Sequence, residues 1–149
     1  MQFDGDIVIT DPCYLMRAEH HGSSLPPLHR DDWEYCDYGD HLNKLGIKKF
    51  ITRDTIYGDW GCTTYNADTK EPIGQFCADA GLVTIALMKE VLEYNPDFEK
   101  WALEHPRCAT ILRDFHGEAD IVVIGDDDDL EVRVVGNGNI NFVTSQTEL

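Results

Sequence analysis

The stretch ATILRDFHGEADIVVIGDDDDLEVRVVGNGNINFVT (residues 109–144) decides the fold. Four segments with β-forming character are separated by glycine-rich or acidic turn sequences, a pattern that predicts an antiparallel meander. The predicted strands are Ala109–Phe115, Glu118–Ile124, Leu130–Val135 and Ile140–Thr144. The predicted breaks between them are a β-bulge at Gly117, a hairpin loop at Gly125–Asp129 and a tight turn at Gly136–Asn139.

A helical insert is predicted directly before this meander. Leu82–Ile85 favours a strand, and the apolar residues that follow it have helical spacing. Asn95 precedes Pro96, as a cap precedes the first position of a helix. We therefore expect helical structure over Ala86–Glu104.

Further strands are predicted in the N-terminal half. Ile7–Thr10 is a short β-branched run that ends at Asp11-Pro12. Residues 48–57 alternate in polarity, and Cys62–Tyr65 follows a glycine-rich turn, which predicts a hairpin between the two segments. Ile73–Cys77 is the next predicted strand.

Residues 17–46 have little periodicity and are expected to form a long ordered loop, with a short helix near Asp32–Tyr38. The length of the chain fits a single domain over residues 1–149. The order of strands, helical insert and meander predicts a β-rich α+β fold. We expect an antiparallel sandwich or partly open barrel with one or two helices packed on it.

The chain is strongly acidic. Twelve Lys and Arg against 28 Asp and Glu give a net charge of −16, which disfavours direct binding to nucleic acid or to anionic membranes. No signal peptide and no run of about 20 apolar residues is visible. The five cysteines are odd in number and contain no CxxC pair, which is typical of a cytoplasmic protein with reduced thiols.

The motif Asp11-Pro12-Cys13-Tyr14 directly follows the first predicted strand, a position that commonly carries function. Cys13 is a candidate nucleophile if a histidine lies near it in space. Candidate bases are His20, His21, His29 and His116. The alternative is a strand-terminating turn with a buried thiol.

Two more turn motifs carry candidate binding residues. Tyr57-Gly58-Asp59-Trp60-Gly61 presents a carboxylate and an aromatic plane, or else it is a hairpin turn whose tryptophan covers core. Asp79-Ala80-Gly81 supplies a further carboxylate, which could instead bind the amides of its own turn. The predicted ligand-binding residues are Asp11, Cys13, Tyr14, Tyr57, Asp59, Trp60 and Asp79.

No cofactor or metal is predicted. Asp126–Asp129 lacks the glycine and closing glutamate of an EF-hand and is expected to be a solvated loop. His20, His21 and His29 lack regular zinc-ligand spacing. Sequence motifs for nucleotide binding, serine hydrolases and zinc proteases are also missing.

The three motifs together resemble those of small uncharacterised proteins of phages and bacteria. Those proteins carry a DPCY motif after an early strand, a YGDG-like turn and a DAG or DSG turn. The tail 136–144 is similar to their closing strands, whereas Trp60 stands where a glycine is common. The resemblance covers four short patches outside residues 17–46, supports the fold and the convergence of the motifs, and implies no activity.

The leading hypothesis is a binding module whose cleft is formed by the three turns and takes a small polar ligand or a protein partner. One alternative is a small-molecule enzyme, with Cys13 as nucleophile or with the carboxylates of Asp11, Asp59 and Asp79 holding a metal. A second is an acidic decoy that engages a DNA-binding protein. A homodimer that covers exposed sheet edges is also considered.

Overall fold

The chain folds around one antiparallel sheet with helices on one of its faces. A computed structural model describes residues 1–16, 38–54, 60–66, 69, 71–78, 81–124, 131–136 and 141–147. In chain order, the elements of the described residues are β1 Gln2–Thr10, α1 Pro12–Met16, α2 Tyr38–Lys44, β2 Phe50–Asp54, β3 Trp60–Asn66, β4 Pro72–Ala78, β5 Leu82–Leu87, α3 Met88–Tyr94, α4 Phe98–Glu104, β6 Ala109–Ile124, β7 Glu131–Gly136 and β8 Asn141–Thr147.

The eight described strands follow the order β2-β5-β1-β6-β7-β8-β3-β4, and every pairing is antiparallel. β6 is 16 residues long and connects the two halves of the sheet. Its first part pairs with β1, and its last part pairs with β7. The prediction of a β-rich, antiparallel α+β fold is confirmed.

The sheet bends over itself, so that the edge strand β4 lies against β6. The Thr110 hydroxyl donates to the Gln75 carbonyl at 2.9 Å. Gly74 approaches Thr110 so closely that a Cβ at position 74 would lie 2.7 Å from the Thr110 hydroxyl oxygen. Glycine is therefore required at this crossing, because a larger residue would push the two layers apart.

Two clusters of buried side chains share the central strands. In β1, Ile7 and Ile9 point into the space between the layers of the bent sheet, whereas Val8 points toward the helices. This alternation follows from the two-residue period of a β-strand. The sheet-side cluster contains Phe3, Ile7, Ile9, Ile51, Phe76, Val83, Ile85, Leu112, Phe115, Ala119 and Ile121. The helix-side cluster contains Val8, Leu15, Leu42, Ile47, Ala86, Met88, Val91, Phe98, Ala102 and Ala109.

The predicted helical insert is confirmed, as a pair of short helices. The strand continues to Leu87, and the helices cover Met88–Tyr94 and Phe98–Glu104. Asn95 organises the connection, because its side-chain oxygen accepts from the Asp97 amide at 3.2 Å. Pro96 belongs to this turn, so α4 begins two residues later than the Asn-Pro pair indicated.

The predicted hairpin between residues 48–57 and Cys62–Tyr65 is wrong. β2 pairs with β5, and β3 pairs with β4 and β8. The glycine-rich segment between β2 and β3 therefore connects two distant positions of the sheet. Local turn sequences indicate where a chain reverses, but they do not identify the partner of each strand.

The predicted bulge is displaced along β6. Register passes without a shift through Gly117, which lies opposite Phe3. The irregularity lies at Arg113–Asp114, opposite Asp6 alone, and Asp114 has a φ of 53°. β6 therefore holds one residue more than β1 at this point, which bends the long strand.

The expected loop over residues 17–46 is wrong at its end, because Tyr38–Lys44 forms α2. Its buried Leu42 belongs to the helix-side cluster. Residues 17–37, with most of the helix expected near Asp32–Tyr38, lie outside the described residues. Among the helices of the described residues, none is long and apolar enough to cross a membrane.

Candidate functional site

The Asp11-Pro12-Cys13-Tyr14 motif is the start of a helix. The Asp11 carboxylate accepts from the Cys13 amide at 2.9 Å, and the Asp11 carbonyl accepts from the Tyr14 amide at 3.1 Å. Asp11 is thus a side-chain N-cap, and Pro12 occupies the first helical position, where its missing N–H has no cost. The motif ends β1 by opening α1.

The same carboxylate joins this motif to the Asp79-Ala80-Gly81 turn. Its second oxygen accepts from the Leu82 amide at 3.3 Å. Gly81, directly before Leu82, has a φ of 80°, a conformation that favours glycine. Asp11 is completely buried, so its carboxylate holds two backbone segments together away from water.

Strand register also brings the Tyr57–Gly61 motif to this end of the sheet, because β2 ends there beside the start of β5. Thr10 lies opposite Thr84, and Asp54 lies opposite Leu82. Trp60, the first residue of β3, lies opposite Ala78, the last residue of β4. The segments that contain the second and third motifs therefore leave the sheet near Asp11. Tyr57, Asp59 and Asp79 lie outside the described residues, and Trp60 is described by its backbone alone.

Cys13 and Tyr14 are part of the packing that seats α1. Cys13 is completely buried, and Tyr14 is 8 % exposed. The Tyr14 ring centroid lies 5.5 Å from that of Trp101 in α4. The Trp101 ring also lies 4.8 Å from the stacked ring of His105. These contacts fix α1 against α4 and leave Cys13 closed to external reagents.

Asp11, Cys13 and Tyr14 of the first motif are therefore part of the buried core of the fold. Asp11 and Cys13 cannot touch a ligand in solution without a local opening, because neither exposes any surface. A ligand at this end of the sheet would instead meet residues of the segments that join β2 to β3 and β4 to β5. Loops on a rigid scaffold are the usual arrangement of binding sites.

A charged network at the β6 bulge was missed from the sequence. Asp6 accepts from the Asp114 amide at 2.9 Å and from Arg113 at 3.0 Å. The hydrogen bond from the backbone amide of Asp114 holds the pKa of Asp6 below its ordinary value, and the hydrogen bond from Arg113 is the second cause. The hydrogen bonds that Arg113 donates to Glu99 and Asp6 raise the pKa of its guanidinium. No local signal marks this network, since it exists only where the bulge places Arg113 and Asp114 opposite Asp6.

A shallow cleft of about 400 Å³ lies beside this network, lined by Asp6, Met88, Lys89, Leu92 and Glu93. Met88 follows the end of β5, whereas Leu82, which binds Asp11, is at its start. The cleft is therefore separate from the place where the motifs meet, and none of the predicted ligand-binding residues lines it.

The structure describes few of the residues that were considered as metal ligands. Within the described ranges, no group of three histidine, cysteine, aspartate or glutamate residues could hold an ion. His20, His21, His29 and Asp126–Asp129 lie outside those ranges. His116, one of the candidate bases for Cys13, lies on β6 opposite Asp4, and its Nδ1 is 3.4 Å from the Asp4 carboxylate.

Comparison of the chain with protein-family models, curated proteins and solved structures gives no significant match.

Proposed function

We propose that this protein is a binding module for a small polar ligand, which it takes at the end of the sheet where the three turn motifs leave it. The observation that carries the proposal is the position of Asp11, whose two carboxylate oxygens hold the start of α1 and the start of β5 together. Because Asp11 is buried and bonded to both segments, α1 and β5 start from a rigid attachment beside the proposed site. Asp59, Trp60 and Asp79 are the proposed ligand contacts.

Two features favour a small polar ligand over the alternatives. The proposed contacts are carboxylates and an aromatic ring, which bind hydroxyl, amino and planar groups. A nucleophilic Cys13 would need access to substrate, and burial of this residue argues against that form of the enzyme hypothesis. The exposed acids of the described residues are spread over several elements, such as Asp4 on β1, Asp40 on α2, Glu104 on α4 and Asp120 on β6, which does not favour the acidic decoy.

The proposal is tested by retention of metabolites. The full chain is incubated with a polar metabolite extract, separated by gel filtration, and the retained compounds are identified by mass spectrometry. We expect wild type to retain one class of compound, and Asp59→Asn and Asp79→Asn to lose at least tenfold of that retention. Asp97→Asn is the matched control, because Asp97 is exposed and makes no side-chain cap bond.

No retained compound, or retention that is equal in all variants, would overturn the small-ligand proposal. We also propose that the protein is cytoplasmic. This location is supported by the cysteine pattern and by Cys13, Cys77 and Cys108, which are thiols rather than halves of disulfides.

A further inference from the structure

Two cysteines lie where the bent sheet brings β4 against the start of β6. Cys77 is the second-last residue of β4, and Cys108 directly precedes β6. Both side chains are partly exposed. The Cys77 thiol donates to the Arg107 carbonyl at 3.1 Å, so its sulfur lies beside the peptide bond that leads into Cys108.

Peptide geometry limits how far apart the two residues can be. A carbonyl oxygen lies about 2.8 Å from the Cα of the next residue. The sulfur of Cys77 is therefore within about 6 Å of the Cys108 Cα. In a disulfide this separation is about 4 Å, so a change of rotamer and a movement of about 2 Å would join the sulfurs.

A second contact between β4 and the start of β6 supports the proximity of the two cysteines. The Thr110 hydroxyl donates to the Gln75 carbonyl, which shows that the Thr110 side chain faces β4. Cys108 precedes Thr110 by two residues, at the end of a turn in which its amide donates to the His105 carbonyl at 2.9 Å. Cys77 lies two residues after Gln75, and Cys108 lies two residues before Thr110. The two cysteines therefore occupy neighbouring positions where β4 crosses the start of β6.

We propose that Cys77 and Cys108 form a reversible disulfide when the protein meets a hydroperoxide. One thiolate attacks the terminal peroxide oxygen, the O–O bond breaks, and the sulfur becomes a sulfenic acid while hydroxide leaves from hydrogen peroxide, or an alkoxide from an organic hydroperoxide. The second thiolate attacks that sulfur, the S–O bond breaks, and a second hydroxide leaves. Two thiols and one hydroperoxide thus give one disulfide, one water and one water or alcohol.

The cross-link would act on the end of β4 nearest to the candidate site. Cys77 is two residues before Asp79, and the Cys108 carbonyl accepts from the Thr10 hydroxyl at 2.8 Å, one residue before Asp11. A bond between the sulfurs fixes β4 to the strand that adjoins Asp11. This part of the inference rests on the proposed function, whereas formation of the disulfide does not.

The disulfide is tested by peptide mapping of the full chain after treatment with hydrogen peroxide and alkylation of the remaining thiols. We expect a peptide pair linked through Cys77 and Cys108, an intact mass lower by about 2 Da, and reversal by a phosphine reductant. Cys77→Ser and Cys108→Ser should each lose the linked peptides, and Cys36→Ser should retain them. Wild-type mapping needs no variant to fold.

Linkage through other cysteines, or Cys77 and Cys108 that both remain open to alkylation after oxidation, would overturn the inference. The metabolite-retention assay then gives an independent readout. Because the cross-link fixes the end of β4 to the start of β6 before ligand binds, we expect the oxidised protein to retain ligand about threefold to tenfold better. A disulfide that forms without changing this retention would overturn the proposed regulation alone.

Discussion

At the scale of single residues, Asp11 decides how the first motif is understood. Its carboxylate accepts from two backbone amides, those of Cys13 and Leu82, and it has no exposed surface. The Asp-Pro pair is the same kind of helix-start signal as Asn95-Pro96, so the cap could have been recognised from the sequence. The bond to Leu82 could not, because it joins residues 71 positions apart.

Replacing Asp11 should therefore destabilise the fold. Asp11→Ala removes a helix cap, worth about 1 kcal/mol, and leaves the Leu82 amide without this acceptor, at a cost of about 1–3 kcal/mol. We expect the free energy of unfolding in urea to fall by about 2–4 kcal/mol. Asp97→Ala is the control: Asp97 caps α4 without a side-chain bond, and its loss should cost less than about 0.5 kcal/mol. Equal losses in the two variants would contradict the structural role of Asp11.

Asp6 should make stability depend on acid pH. Its folded pKa is lowered from 3.8, chiefly by the Asp114 amide and then by Arg113. The stability it contributes is therefore present above the unfolded pKa and is lost as pH falls through the folded pKa. In urea titrations, the difference in midpoint between wild type and Asp6→Asn should shrink below about pH 4. A difference between wild type and Asp6→Asn that stays constant with pH would refute the assignment.

At the scale of elements, local patterns predicted strands and helices better than their partners. The β3–β4 hairpin and the helical pair after β5 follow from turn residues and apolar spacing close in sequence. The pairing of β2 with β5 does not, because Phe50 and its partner Ala86 are brought together by the whole sheet. Local sequence predicts the bulge at Gly117, because glycine favours such sites, but the bulge lies at the non-glycine residue Asp114.

The contact between β4 and β6 can be tested at Gly74. A methyl group there would meet the Thr110 hydroxyl oxygen at 2.7 Å and its methyl carbon at 2.9 Å, so Gly74→Ala should destabilise the fold by about 1–3 kcal/mol. Thr110→Ala removes both atoms. In a double-mutant cycle, Gly74→Ala should cost at least about 1 kcal/mol less when Thr110 is already alanine. Additive losses would mean that β4 does not cross β6 at this point.

At the scale of the whole molecule, the site and the core depend on the same strands. Three motifs far apart in sequence could be suspected of meeting because each follows or precedes a strand, but only the pairing of β5 with β1 and β2 places Thr10, Asp54 and Leu82 at one end of the sheet. The motif segments can therefore be recognised in the sequence, whereas their convergence depends on long-range strand pairing. Because Asp11 and Cys13 are buried, the proposed ligand contacts are Asp59, Trp60 and Asp79 instead.

Shared strands also predict cooperative unfolding. Phe76 belongs to the sheet-side cluster and Phe98 to the helix-side cluster, and alternate residues of β1 contribute to both. Neither cluster can lose β1 and persist, so Phe76→Ala and Phe98→Ala should each cost about 3–5 kcal/mol and retain a single transition. Far-UV circular dichroism and tryptophan fluorescence should give coincident urea curves in both variants. A Phe98→Ala curve that separates into two steps would show that the helices form an independently unfolding layer, and the prediction of one domain would then be wrong.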